Sequence, residues 1–325
     1  MVRVGYIILL LAVCIYAEAS DFRSFRIVFY NVENLFDLRD DSLKADEDFL
    51  PESPRKWNYT KYRKKQLDIS RVLCAIGEWN IPALAGVCEV ENDSVLLYLT
   101  QRTPLRELGY RYVITDSPDR RGIDVGLLYQ KDQFRLIESN SISLPLGLPA
   151  TRDILHVAGK VISGDTMDVY VCHLPSRRRG EKLTDGIRRQ AAAMLVRHMD
   201  SVTTVRSKAN VIVMGDMNDE NPKALFCDSD CKLVHLPHGS KNSGSYYFQN
   251  EWETIDHFLV SSHLTDSANN VSLFQSKSFI FAPDFLLQEN SGGVKVPKRT
   301  YKGTFYTGGC SDHLPVYMDL KIKYR

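Results

Sequence analysis

The sequence predicts an α/β fold in which two stacked sheets are flanked by helices. From Phe25 onward, short β-rich runs alternate with two or three amphipathic helical stretches. Several neighbouring runs are joined by hairpin turns, as at Ser163-Gly164-Asp165. No Pro-, Gly- or Ser-rich linker interrupts residues 20–325, which therefore read as one domain. A charged fraction of 25% with 16 Tyr and 14 Phe argues against disorder. With 41 Lys and Arg against 40 Asp and Glu, the formal net charge of +1 removes the electrostatic footprint of a dedicated DNA packager and leaves only local basic patches.

Phe25 to Tyr30 reads as the first strand and ends in Asn31-Val32-Glu33-Asn34. The segment from Asp37 to Glu52, dense in Asp and Glu, follows as a surface loop. Thr60 is expected to cap a helix through Gly77, with Ile69, Val72, Leu73 and Ile76 as its buried stripe and Lys61, Arg63, Lys64 and Lys65 facing out. Ala83 to Cys88 is a buried-type strand delivering Glu89, and Asp93 is expected to cap a helix to about Leu108. Further strands are Tyr110 to Thr115, Asp124 to Tyr129, Phe134 to Ser139, Ile154 to Ile162 and Thr166 to Cys172. A helix from Thr184 to about Val202 puts His198 on the same stripe as Ile187, Ala191, Met194 and Leu195, so His198 is read as a packed histidine. Strands over Asn210 to Met214, Thr254 to Val260, Val271 to Phe274 and Leu314 to Leu320 complete the pattern.

The N-terminus has the anatomy of a secretory signal. Arg3 supplies the positive charge, Val4 to Tyr16 is an uncharged apolar run, and Ala17-Glu18-Ala19 is a small-x-small site, so cleavage is expected near Ala19 and the mature chain is expected to be secreted or periplasmic. The apolar run is too short to span a bilayer, and no later transmembrane segment is expected. Lipoprotein anchoring at Cys14 is disfavoured because Val13 stands where a small residue is wanted. Export permits disulfides, and Cys227 and Cys231, in one polar loop, are the pair to nominate. Cys88 and Cys172 end apolar runs and read as buried thiols.

Polar residues recur at the ends of strand runs: Asn31 and Glu33, Glu89, His173, Asp216 and Asn218, Asp256 and His257, Asp312 and His313. One acid after a strand is ordinarily a turn former or a helix cap. Six strand ends presenting acids, amides and imidazoles imply a shared site at one rim. Glu89, Glu33 and Asn31, with Asp312 as an addition, offer the oxygen ligands a hard cation needs. No histidines sit at zinc spacing, which favours Mg2+ or Mn2+. Asp216 can orient or deprotonate water, Asn218 can donate to a non-bridging oxygen, and His313 can pair with a carboxylate.

Phe29-Tyr30-Asn31-Val32-Glu33-Asn34-Leu35-Phe36, Cys88-Glu89-Val90-Glu91-Asn92, Gly215-Asp216-Met217-Asn218, Ile255-Asp256-His257-Phe258 and Ser311-Asp312-His313-Leu314-Pro315 together resemble the ordered signature of the endonuclease/exonuclease/phosphatase superfamily, with its deoxyribonuclease I-like and exonuclease III-like members. The resemblance runs from about Arg26 to Leu320. It implies a four-layer α/β/β/α sandwich of two mixed, largely antiparallel sheets. It also implies metal at Asn31, Glu33 and Glu89, with Asp312 near it. Asp216 and Asn218 match the pair at the attacking water, His313 the histidine at the phosphate, and Asp256 the acid that fixes its charge. His173 matches a position that is His in deoxyribonuclease I-like members and Tyr in apurinic endonucleases. Arg152 and Arg177 resemble phosphate-contacting arginines. His257 and the acidic loop depart from the pattern, the loop pointing toward a smaller phosphate ester.

The sequence thus supports first a Mg2+- or Mn2+-dependent endonuclease, with nucleic acid as substrate and Tyr246, Tyr247 and Tyr301 available to stack on bases. The alternative is a phosphodiesterase or phosphatase acting on a lipid headgroup or small phosphate, sphingomyelinase-like or inositol-phosphate-like. A non-catalytic binding domain is a further alternative, although it would be expected to lose one of Glu89, Asp216, Asn218, Asp256 or His313. No stable protein partner is expected.

Overall fold

The computed structural model describes residues 22–144, 149–177, 181–226, 232–239 and 244–324. The expected leader, Cys14, the Cys227 and Cys231 pair and the Arg178-Arg179 run lie outside the described residues. The first half of the chain forms β1 (Phe22–Leu35), α1 (Tyr59–Gly77), β2 (Leu84–Val90), α2 (Asp93–Gln101), β3 (Tyr110–Ile114), β4 (Asp124–Gln130), β5 (Arg135–Ile142), β6 (Ile154–Lys160) and β7 (Thr166–His173). The second half forms α3 (Glu181–Val205), β8 (Asn210–Asp216), β9 (Leu233–His235), β10 (Tyr246–Phe248), β11 (Glu251–Glu253), β12 (Asp256–Ser261), β13 (Val271–Leu273), β14 (Phe279–Ile280), β15 (Leu287–Glu289), β16 (Lys295–Pro297), β17 (Tyr301–Lys302), β18 (Phe305–Tyr306) and β19 (Val316–Lys323).

One sheet runs β13-β19-β1-β2-β4-β3, with β14 also on β19; the other runs β5-β6-β7-β8-β12-β9. Each has a single parallel pair near its middle, β1 with β2 and β7 with β8, among antiparallel neighbours. The inner strands bury both faces, so they read as nearly unbroken apolar runs. In β7 and β8, Val169, Val171, Ile212 and Met214 point into the core between the sheets. Tyr170, Cys172, Val211 and Val213 point the other way, onto Ala191, Ala192, Leu195 and Met199 of α3. Ile69, Val72, Leu73 and Ile76 of α1 cover the outer face of the first sheet. These are the four layers the resemblance implies.

Three local expectations are corrected. Asn58, not Thr60, caps α1, its side chain accepting from the Lys61 amide at 3.2 Å. Lys65 does not face out: it lies four residues before Ile69 on the buried stripe, 1% exposed, and donates to Glu33 O, Thr300 Oγ1 and Cys310 O. The helix expected from Asp93 to Leu108 is capped by Asn92 and ends at Gln101, because Pro104 cannot supply the next amide; Thr103 then caps a separate 3-10 turn, Pro104–Leu108. The acidic loop is anchored by Phe49, stacked 4.2 Å from Phe36, and by Trp57 Nε1, which donates to the carbonyls of Phe36 and Asp37.

Gly215 allows β8 to lie close to β7. A Cβ there would sit 2.2 Å from Cys172 O and 2.6 Å from its sulfur. Gly215→Ala should therefore destabilise the fold by about 3 kcal/mol through overpacking. A urea midpoint within error of the wild type would contradict that packing.

Candidate active site

The ends of β2, β7 and β8 and the start of β12 meet at one rim. Register does most of the assembly: His173 pairs with Asp216 across β7 and β8, and Asp216 with Asp256 across β8 and β12. On the other sheet the ladders shift between Asn31 and Leu35 and between Cys88 and Val90. At these bulges Glu33, Asn34 and Glu89 take φ of 48°, 52° and 59°, and Asn218 takes 49° beyond β8. Left-handed backbone in non-glycine residues costs about 1–3 kcal/mol each and survives where the surroundings over-determine it. Here it re-aims side chains that a regular pleat would direct elsewhere.

His313 Nδ1 and Asp256 Oδ2 are 2.9 Å apart, and Ser245 Oγ donates to the same carboxylate oxygen. Burial alone would lower the His313 pKa, but Asp256, with Asp216 and Asp312 beyond it, holds the ring protonated up to about 10. Its Nε2 lies 3.8 Å from Asp216 Oδ2. Asp216 accepts from Asn31 Nδ2 at 3.1 Å and from the Asn218 amide at 3.0 Å. Burial, with Asp256 nearby, pushes its carboxyl up to about 7 against the pull of His313. His173 Nε2 is 3.6 Å from Asp216 Oδ2, and burial, then the cations Arg152 and Arg121, keep this imidazole neutral.

Asn34, Glu89, Arg121, Asp312 and Arg299 edge the same pocket, of about 560 Å3, which also takes in His173, Arg177, Asp216, Asn218, Tyr246, Phe248, Glu253 and His313. Glu89 Oε2 accepts from the Asn34 amide at 3.0 Å and lies 3.4 Å from Arg121 Nη2. Burial would raise the Glu89 pKa, but Arg121, His313 and Arg152 hold it below the usual carboxylate value. Asp312 is held by Arg299 at 2.8 Å. Tyr246 lies 4.6 Å from the His313 ring and is stacked 6.0 Å from Phe248.

The structure thus brings Glu89, His173, Asp216, Asn218, Asp312, His313 and Arg177 into one pocket, with Asp256 directly behind His313. It places three nominated residues otherwise. Glu33, expected at a metal, instead clamps the 299–300 segment, accepting from Thr300 N at 2.6 Å and Arg299 Nε at 3.3 Å; burial and Asp312 raise its carboxyl to about 7. Asn31, also expected at a metal, directs its amide nitrogen to Asp216 and its oxygen to the Glu33 amide. Arg152, expected on phosphate, is buried behind β7 and bonds Asp119 and the carbonyls of His173 and Leu174. Arg177 edges the pocket but is paired with Glu253. Of the stacking tyrosines, Tyr247 packs edge-on to Trp252, and Tyr301 is buried against Trp57 and Tyr306.

His257 lies behind the site. Its Nδ1 is 3.1 Å from His235 Nε2 and its Nε2 3.0 Å from Asp219 O, with the His238 ring tilted against it at 5.7 Å. Burial, then the neighbouring imidazoles, lower His257 to about 3; burial, His238 and Lys223 lower His235 to about 4. Depressed folded values mean that the unfolded chain takes up protons first as the pH falls. The stabilisation is therefore full above about pH 6.5 and is lost as pH falls through about 4 and 3. His257→Gln should remove on the order of 2 kcal/mol of that acid lability. Urea unfolding across this range checks it; an unchanged acid slope would contradict it.

Arg121 marks what reading strand ends could not find. Arg121 precedes β4, which runs antiparallel to β2, so the start of one strand meets the end of the other beside Glu89. The signal was Asp119-Arg120-Arg121-Gly122, a charged glycine turn immediately before a strand.

A sequence profile of the Endonuclease/Exonuclease/phosphatase family matches residues 26–322. The chain belongs to that family. It is accordingly a metal-dependent phosphoesterase, and the reading as a non-catalytic binding domain is set aside. Among solved structures, a family protein from Bacteroides thetaiotaomicron is similar with a TM-score of 0.61 at 16% identity, covering 94% of this chain and 100% of its own. The mannosyl-6-phosphatase of the same organism gives 0.58 at 16%, covering 91% and 99%. D. rerio TDP2, complexed with a single-strand DNA product, gives 0.54 at 16%, covering 91% and 98%. At these identities the likeness is one of fold. Compared with curated proteins by sequence, the chain matches none. Among the described residues, no helix is long and apolar enough to cross a membrane.

The donor chemistry fits a divalent cation. Glu89, Asp216 and Asp312 present carboxylates to one pocket. Ligand atoms of the buried Asp216, Asp256 and His313 lie within 4.8 Å of one another, and Asp256 Oδ1 has no hydrogen-bond partner among the described residues. Since His313 Nδ1 is already engaged by Asp256, the ligands on offer are oxygens, the preference of a hard cation.

Proposed function

We propose that the chain is an exported, Mg2+- or Mn2+-dependent endonuclease that hydrolyses phosphodiesters of DNA or RNA by in-line attack of water. Residues 20–325 form its catalytic unit and residues 1–19 are removed on export. The observation that carries the nucleic-acid reading is the exposed ring of Phe248, stacked on the buried Tyr246 beside His313, in a pocket that Arg121, Arg177 and Arg299 also edge. Bases stack on aromatic faces while guanidinium groups meet phosphates. The fold shared with a TDP2 bound to a DNA product supports the same reading.

In this mechanism the imidazolium of His313 donates from Nε2 to a non-bridging oxygen, strengthening as negative charge develops there. Asp256 keeps that proton in place. Asp216, positioned by Asn31 and the Asn218 amide, accepts a proton from the attacking water. Asn218 is anchored on Leu174 O and keeps its other N–H for a phosphate oxygen. A cation held by Glu89 and Asp312 would supply Lewis-acid stabilisation of the phosphate.

A second reading, a phosphodiesterase or phosphatase on a sugar, lipid headgroup or other small phosphate, is favoured by one observation: Glu253 neutralises Arg177 at the pocket edge, which weakens the site for a polyanion. Plasmid DNA, RNA, bis(4-nitrophenyl) phosphate and 4-nitrophenyl phosphate, assayed side by side, separate the readings. EDTA-reversible nicking of DNA or RNA is expected. Hydrolysis of the small esters alone would move the assignment to the second reading.

A further inference from the structure

A second cleft, of about 460 Å3, adjoins the catalytic pocket and shares Arg121 and Ser176 with it. Its volume is that of a small-ligand site, within about 300–1,000 Å3. Pro149, Ala150, Pro175 and Ile187 give it an apolar lining, and Arg120 and Arg121 stand on its rim. His313, Asp216 and Glu89 do not line it, so it has no part in the chemistry itself. It meets the catalytic pocket at Arg121, 3.4 Å from Glu89, and at Ser176, and neither His313 nor Tyr246 lines it. Arg152, tied to the carbonyls of His173 and Leu174, fixes the boundary between the two spaces.

We propose that this cleft receives the nucleoside on the Arg121 side of the scissile phosphate, so that a substrate spans both spaces. One base stacks on the exposed ring of Phe248, the phosphate sits over His313 and Glu89, and the next nucleoside lies on Pro149, Ala150, Pro175 and Ile187. Arg120 meets the phosphate that follows. The occupant is argued from continuity with the catalytic pocket and from charge, since apolar faces under exposed guanidinium groups suit a base followed by a phosphate. This inference rests on the nucleic-acid reading and deepens it: the enzyme engages a nucleoside on each side of the bond it breaks, together with the phosphate that follows on the Arg120 side.

The test compares kcat/KM for a single-stranded decanucleotide with that for bis(4-nitrophenyl) phosphate, in the mature wild type, Ala150→Trp and Arg120→Ala. Both side chains are exposed, so neither change enters the core. The oligonucleotide-to-diester ratio should fall about tenfold in Ala150→Trp, whose indole fills the apolar space a nucleoside would occupy, and severalfold in Arg120→Ala. Wild-type cleavage of the oligonucleotide with an unchanged ratio in both variants would overturn the second cleft while leaving the nuclease assignment standing. A wild type that cleaves the diester but no oligonucleotide would overturn the nuclease assignment, and the cleft's role with it.

Discussion

Replacing His313 with alanine should lower kcat on a phosphodiester by about 10³-fold with little change in KM. The size follows from the electrostatics of the pair it belongs to. A buried imidazole is ordinarily neutral, yet here Asp256 at 2.9 Å keeps the ring protonated to about 10. The charge is therefore in place before substrate arrives and needs no reorganisation as the transition state forms. It also predicts that activity is not lost where an ordinary histidine titrates, from about 6.5 upward, but only toward about 10. Because Asp256 acts through His313, their losses should not add: Asp256→Asn with His313→Ala should be little slower than His313→Ala alone. Additive losses would show that Asp256 has a separate role.

Asp216→Asn should cost a similar factor, about 10²–10⁴ in kcat. The replacement is isosteric, so a large loss would reflect proton acceptance and charge rather than packing. Asp216 is suited to that task because burial raises its carboxyl to about 7, close to the pH at which it must work. Asn31 and the Asn218 amide hold it from two sides, and His173 and His313 flank it. Asn31→Ala should give a smaller loss than Asp216→Asn, since it removes one support and leaves the acceptor. A kcat for Asp216→Asn within threefold of the wild type would exclude Asp216 as the water's acceptor.

The sequence carried the site's inventory better than its wiring. Glu89, Asp216, Asp256 and His313 each follow or open an apolar run, and five motifs in order are a pattern local enough to read. What was not legible depends on contacts between distant segments. Glu33 and Lys65 are 32 residues apart, and each meets the 300–310 stretch far along the chain; nothing in either neighbourhood announces a buried lysine beneath a clamping carboxylate. Arg152, in Thr151-Arg152-Asp153, resembles a phosphate-contacting arginine of the family, yet the carbonyls at the end of β7 and Asp119 take up its nitrogens. Arg121 was missed because an antiparallel neighbour brings the start of one strand to the end of another, a relation that appears only once the sheet order is known. Helix limits erred at Thr60 and Leu108, where Asn58 was the better cap and Pro104 the stronger stop.

The most direct test is cleavage of plasmid DNA and a single-stranded oligonucleotide by residues 20–325 after removal of metal with EDTA. Mg2+ is then restored to the wild type and to Glu89→Gln at the same concentration. The account predicts that cleavage disappears with EDTA, returns with Mg2+ in the wild type, and stays at least about 10²-fold lower in Glu89→Gln. Cleavage that survives EDTA, or that returns equally in Glu89→Gln, would contradict a metal-dependent centre built on that carboxylate.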